Sequence, residues 1–150
     1  FLAGVIFLAG CSGSAPDLGV QNGELKPCGK TPNCVNSQAG DDTHTIPAIR
    51  FDGSRQEARA RLVQILDSEP RTRILISEDN YIRVEFRSSL LRFVDDVEFY
   101  FPEQRGAEQV IQVRSASRIG YSDLGVNRKR VERMRSRLSS GGKSNRSRMP

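Results

Sequence analysis

Four runs in the middle of the chain, residues 73–78, 81–88, 94–101 and 109–115, alternate apolar with charged or polar residues, and they restrict the fold more than any other feature. Successive side chains of a strand point to opposite faces, so this period-two pattern marks a sheet with two unlike faces. In the second run Ile82, Val84 and Phe86 oppose Tyr81, Arg83, Glu85 and Arg87. In the third, Val97, Phe99 and Phe101 share a side with Asp95, while Asp96, Glu98 and Tyr100 share the other. In the fourth, Ile111, Val113 and Ser115 oppose Gln112 and Arg114. The breaks at Asp79-Asn80 and Gln104-Arg105-Gly106-Ala107 have hairpin length, so the expectation is a four-stranded antiparallel sheet with one apolar face and one face striped with charge.

Helices are expected on the apolar face. Ser54-Arg55-Gln56-Glu57 has the form of a capping box, in which the Ser hydroxyl and the Glu carboxylate each accept from a free backbone N–H. Ala58, Leu62, Ile65 and Leu66 follow at helical spacing and Pro70 ends the segment, which predicts a helix over 54–67. Leu124, Asn127, Val131, Met134 and Leu138 repeat the rhythm, and Ser122-Asp123 would cap a second helix starting near 122. Arg128, Lys129, Arg130, Arg133, Arg135 and Arg137 then form a solvated basic face. The fold class is therefore α+β and two-layered, with a helix before and a helix after the strands.

The ends of the chain differ from this middle. Residues 1–10 (FLAGVIFLAG) are uncharged and too few to span about 30 Å of hydrocarbon as a helix, which matches the apolar region of a signal peptide, truncated here because no basic segment or initiator Met precedes it. Leu8-Ala9-Gly10-Cys11 resembles a bacterial lipobox, which implies a diacylglyceryl thioether and palmitate-type acyl chains on Cys11. Two or three chains anchor a protein where one does not. Ser12 stands where an Asp would retain the protein in the inner membrane, so the expected location is the outer membrane, facing the periplasm. Residues 11–24, rich in Gly, Ser, Pro and Asp, read as a flexible tether; 25–138 as the domain; 139–150 as a disordered basic tail.

Lipidation of Cys11 leaves Cys28 and Cys34, which an oxidising compartment would pair across a small loop containing Gly29 and Pro32. A metal site from Cys28, Cys34, His44 and Asp41 or Asp42 is the alternative, at a spacing unusual for zinc. His44, the single histidine, reads as a surface or capping residue without chemistry.

The net charge of +5 suggests a nucleic-acid partner until it is placed. Residues 1–126 hold 14 basic against 17 acidic side chains and residues 127–150 hold 9 against 1, so the basicity is confined to the C-terminal segment. Nucleic-acid readers interleave basic and aromatic residues on a folded face, and this chain does not; nucleic acid is not an expected partner.

Pro27-Cys28, Pro32-Asn33-Cys34, the segment Phe93-Val94-Asp95-Asp96-Val97-Glu98-Phe99 and the long run from Arg114 through Gly120-Tyr121-Ser122-Asp123 to Arg128 resemble the bacterial and plastid proteins grouped as domain of unknown function 1499. The resemblance covers roughly Leu25 to Leu138 and implies a frequent lipoprotein or membrane setting, with no reaction, cofactor or ligand attached to it.

The polar residues of these motifs form the candidate site: Arg87, Arg92, Asp95, Asp96, Glu98, Arg114, Ser115, Ser117, Arg118, Tyr121, Asp123, Asn127 and Arg128. Asp95 falls on the apolar face, where a lone carboxylate is costly, so Arg118, Arg128 or backbone N–H groups of the Ser122-Asp123 turn are expected to satisfy it. On the other face, Arg87, Arg114 and Arg118 would either build a cross-strand ladder with Glu85, Asp96 and Glu98 or grip an anionic group. Catalysis finds little purchase, because Asp95 and Asp96 point to opposite faces and no Ser has a His base. The expected function is a non-catalytic envelope lipoprotein, without cofactor or metal, that binds a protein partner or an anionic lipid or glycan; the alternative is an enzyme centred on Asp95 and the 114–127 motif.

Overall fold

A computed structural model describes residues 14–90, 92–103 and 109–143. The apolar leader, Cys11, Ser12, the turn at 104–107 and the tail beyond 143 lie outside the described residues. In chain order the elements are β1 (Val20–Gln21), β2 (Glu24–Leu25), β3 (Cys34–Asn36), β4 (Ile49–Arg50), α1 (Arg55–Ser68), β5 (Thr72–Ser77), β6 (Tyr81–Arg87), β7 (Val94–Tyr100), β8 (Val110–Ser117) and α2 (Val126–Lys143).

The expected α+β class holds, and the four alternating runs are β5 to β8, paired antiparallel in sequence order. The sheet is wider than four strands, however. β3 and β4 pair in succession with the outer edge of β8, giving six strands, and β1 with β2 forms a separate two-stranded sheet, so α1 lies between strands rather than before them, a departure from the expected order. Strands of two or three residues are too short for alternation to show, which is why only pairing reveals them. The β1–β2 hairpin occupies part of the segment read as tether. Its turn, Asn22-Gly23, has both residues at positive φ (53° and 81°), the conformation for which Asn-Gly is the preferred hairpin dipeptide.

Both helices lie on the apolar face. α1 starts as expected: Ser54 Oγ accepts from Glu57 N, and the Glu57 carboxylate accepts from Ser54 N at 2.8 Å. Ala58, Leu62 and Leu66 of α1 and Val131, Met134 and Leu138 of α2 join Ile82, Val84, Val97, Phe99 and Val113 in one core. Each large side chain withdrawn there contributes about 1.5–3 kcal/mol. α2 begins at Val126 rather than near 122, because Leu124 and Gly125 take positive φ (53° and 78°) and break the helical path. Asp123 still serves the helix start, accepting from Gly125 N at 2.9 Å and Asn127 N at 2.8 Å. Leu124, assigned to the apolar stripe by spacing, is consequently 86% exposed, and the helix continues through Ser139 to Lys143.

The second face of the sheet has its own small cluster. A register shift in β5 between Ile74 and Ile76 moves Ile76 off the core face, and it packs with Val20, Leu25, Tyr81 and Tyr100. The N-terminal hairpin thus sits on the charged face of the sheet at the Tyr81–Tyr100 end.

Candidate functional site

Alternation along β6, β7 and β8 puts Arg83, Glu85, Arg87, Asp96, Glu98 and Arg114 on one face, and register sets Glu85 beside Asp96 and Glu98 between Arg83 and Arg114. A charged face would ordinarily be the solvent face of a two-layer domain. Here it is buried: Glu98 is 0% exposed, Asp96 1%, Glu85 6% and Arg83 8%. Such burial is tolerable only with dense pairing. Asp96 Oδ1 accepts from Arg83 Nη2 at 2.9 Å, and its Oδ2 accepts from Arg118 Nε at 2.7 Å. Arg118 reaches on to Glu85 at 2.5 Å, and Arg87 approaches the same carboxylate at 3.6 Å. Further along, Glu98 accepts from Tyr81 Oη at 2.7 Å, from Gly19 N at 3.0 Å and from Arg114 Nη1 at 3.3 Å. Among the described residues, Glu85 Oε2 and Arg114 Nε are buried without a hydrogen bond.

The two ends of this network are shifted in opposite directions from their ordinary pKa values. Burial works to raise the Asp96 carboxyl, but hydrogen bonds from Arg118 and Arg83 outweigh it and hold the group below the ordinary aspartate value. Burial raises Glu98 above the ordinary glutamate value, since Tyr81 and Arg114 compensate only in part. Burial and then the neighbouring Glu98 carboxylate push the Tyr81 phenol up. The bond to Asp96 raises the Arg118 guanidinium, so it stays charged.

On the core face, Asp95 meets none of its expected partners. Arg118 is committed to the opposite face, and Arg128 donates to Thr43 O at 3.3 Å. Arg130 neutralises it instead, with Nη2 2.5 Å from Asp95 Oδ2 and its guanidinium 4.7 Å above the Phe86 ring. The solvated basic face does not include Arg130: it is 7% exposed, because its spacing of three from Asn127 and four from Met134 sets it at the edge of the buried side of α2. Its Nη1 also donates to Asn127 Oδ1 at 2.7 Å. Asn127, 0% exposed, accepts from Ser115 Oγ at 2.5 Å and donates to Asn33 O, Ser117 Oγ and an Asp123 oxygen. This amide ties β3, β8 and the α2 entry together.

The candidate residues therefore separate into three groups. Asp96, Glu98, Arg114, Arg118 and, weakly, Arg87 share the charged face; Asp95, Ser115, Ser117, Asp123 and Asn127 form the core-side network. Arg92, Tyr121 and Arg128 belong to neither. Arg92 and Tyr121 (73% exposed) stand on loops at the sheet's end. Sequence reasoning missed Arg130, Arg83, Tyr81 and Asn33 as members. Arg83 and Tyr81 were legible from alternation and Arg130 from its i+3 spacing to Asn127, whereas nothing local marked Asn33.

Cys28 and Cys34 are joined in a disulfide with Cα atoms 5.7 Å apart, which removes the thiolates that a metal site would need. His44 is not a surface residue: it is 8% exposed, with Nδ1 2.8 Å from Asp41 and Nε2 facing Thr31 O at 3.2 Å. Among the described residues no group of three or more His, Cys, Asp or Glu is arranged to hold a metal, and no helix is long and apolar enough to cross a membrane. A cleft of about 490 Å³ lined by Asp17, Gly19, Gln21, Glu24 and Lys26 runs along the N-terminal hairpin, and Gly19 links it to the ion-pair face through Glu98.

Taken together, fold and site define an α+β domain whose antiparallel sheet carries an apolar core on one side and an internally neutralised ionic layer on the other. Residues 24–138 match the family described as "Protein of unknown function (DUF1499)", and the chain belongs to that family. No curated protein and no solved structure matches it.

Proposed function

We propose that the chain is a non-catalytic cell-envelope lipoprotein, exported on its apolar leader, acylated at Cys11 and held at the outer membrane facing the periplasm, where its domain binds an anionic envelope component or a protein partner. The observation that carries the non-catalytic reading is the commitment of each candidate reactive group to an internal partner. Asp95 is held by Arg130, Asp96 by Arg83 and Arg118, and Ser115 by Asn127. General acid/base work needs a group within reach of a substrate proton, and the two aspartates open to opposite faces. The lipobox-like Leu8-Ala9-Gly10-Cys11 and a disulfide suited to an oxidising compartment support the envelope setting.

The test is Asp95→Asn. Removing one partner of a buried pair should cost about 3–5 kcal/mol, read as a lower unfolding midpoint. A folded, equally stable variant with a growth defect would point to a reaction centre instead. Mass spectrometry of the mature protein should find acyl groups on Cys11.

A further inference from the structure

Among the described residues the large apolar side chains that are exposed are Leu90 (87%), Phe93 (40%), Tyr121 (73%), Leu124 (86%) and Val126 (45%). Scattered singly they would mean little. They are gathered on two segments, the described residues of 88–90 with 92–93 and the loop 118–125, and on the residue that follows the second. Arg118 N donates to Val94 O at 3.0 Å and Ser117 pairs with Asp95, so both loops leave the sheet at the same end. The disulfide loop abuts them there, with Asn33 Nδ2 donating to Gly120 O at 2.7 Å. The opposite end, with the β5–β6 turn at Asp79-Asn80, shows no such side chain among the described residues.

Charge sorts the same way. The two loops carry one acid, Asp123, whose oxygens are taken by Gly125 and Asn127. Exposed basic residues stand on the same or adjoining segments: Arg92 within the first loop, Lys30 in the disulfide loop and Lys129 on the first turn of α2. Arg92 and Leu124 both sit at positive φ (54° and 53°), where a branched or long side chain is disfavoured. A strained Leu that is 86% exposed does nothing for the core, and backbone outliers of this kind cluster at functional sites.

We infer that this end of the sheet docks on an anionic lipid bilayer, with Leu90, Phe93, Tyr121 and Leu124 entering the headgroup boundary and Arg92, Lys30 and Lys129 facing the lipid phosphates. Separate side chains projecting from loop tips suit an interface that deforms around them, amphipathic Tyr is favoured at headgroup depth, and basic residues favour anionic lipid. The inference rests on the reading above and names its anionic component as lipid.

The chain contains no Trp, so one introduced residue reports alone. The full chain carrying Tyr121→Trp is mixed with phosphatidylglycerol vesicles containing brominated acyl chains, and a second carrying Asn80→Trp reports the opposite end. The expected result is a blue-shifted, quenched emission from the first and an unchanged one from the second, whatever residues 1–10 do. Adding Arg92→Glu and Lys129→Glu to the first should weaken its binding roughly tenfold or more. Unaltered melting confirms the fold of each. Equal quenching at both positions, or none at position 121 while the protein sediments with vesicles, overturns the inference. A concentration-dependent shift without lipid also overturns it, in favour of a second copy of the chain. None of these outcomes bears on Cys11 acylation or on Asp95→Asn, which judge the broader reading separately.

Discussion

Asp96 and Glu98 stand two residues apart on one strand and one face, both withdrawn from water, yet they are held in opposite ways. Asp96 lies between two guanidinium groups, Arg83 and Arg118, that each bond it directly. Glu98 faces one guanidinium at 3.3 Å, and its remaining bonds come from neutral donors, Tyr81 and Gly19 N. The first carboxyl is pulled below its ordinary pKa and the second is left above it. Burial raises both carboxyls; the number of charged donors within bonding distance decides the sign of the net shift.

The largest effect should come from Asp96→Asn. It leaves Arg83 and Arg118 buried against an amide that cannot balance two cations, and about 3–5 kcal/mol of stability should be lost in denaturant unfolding at neutral pH. A loss under half of that would mean the pairing is replaceable and would break the contrast with Glu98.

Acid titration sharpens it. The folded-state pKa of Asp96 is depressed, so its contribution is present above the unfolded value of 3.8 and is lost as pH falls through the folded value. That of Glu98 is raised, so its contribution is full below 4.5 and is lost as pH rises through the folded value. Unfolding curves across this range should therefore show the wild type gaining on Asp96→Asn as pH rises, and losing ground relative to Glu98→Gln. Parallel slopes for the two variants would refute the opposite shifts.

The smallest effect belongs to Glu98→Gln. An amide oxygen can still accept from Tyr81 and Gly19, so the cost at neutral pH should be about 1 kcal/mol, the scale of one net hydrogen bond. A loss equal to that of Asp96→Asn would show that Arg114 depends on Glu98 as Arg118 depends on Asp96.

Much of this architecture is legible in the chain. Period two in β5 to β8 assigned each side chain of the ionic layer to its face, and the capping box fixed the start of α1. Asp95 could be read as a carboxylate in need of a partner. The partner could not: Arg118 pairs on the opposite face and Arg128 reaches Thr43 O, so Arg130, on the Asn127 side of α2, is the guanidinium that meets Asp95. The two-residue strands escaped notice because pairing, not pattern, makes them.

By itself the sequence determined an α+β protein with a two-faced antiparallel sheet, a pairable Cys28 and Cys34, and membership of a family already suggested by its motifs, since period, spacing and residue type are local properties. Only the tertiary structure decided that the charged face is covered, which guanidinium serves which carboxylate, and that the exposed apolar side chains meet at one end. Those outcomes depend on segments far apart in the chain, Gly19 with Glu98 and Val94 with Arg118, and no local pattern encodes a distance across the fold.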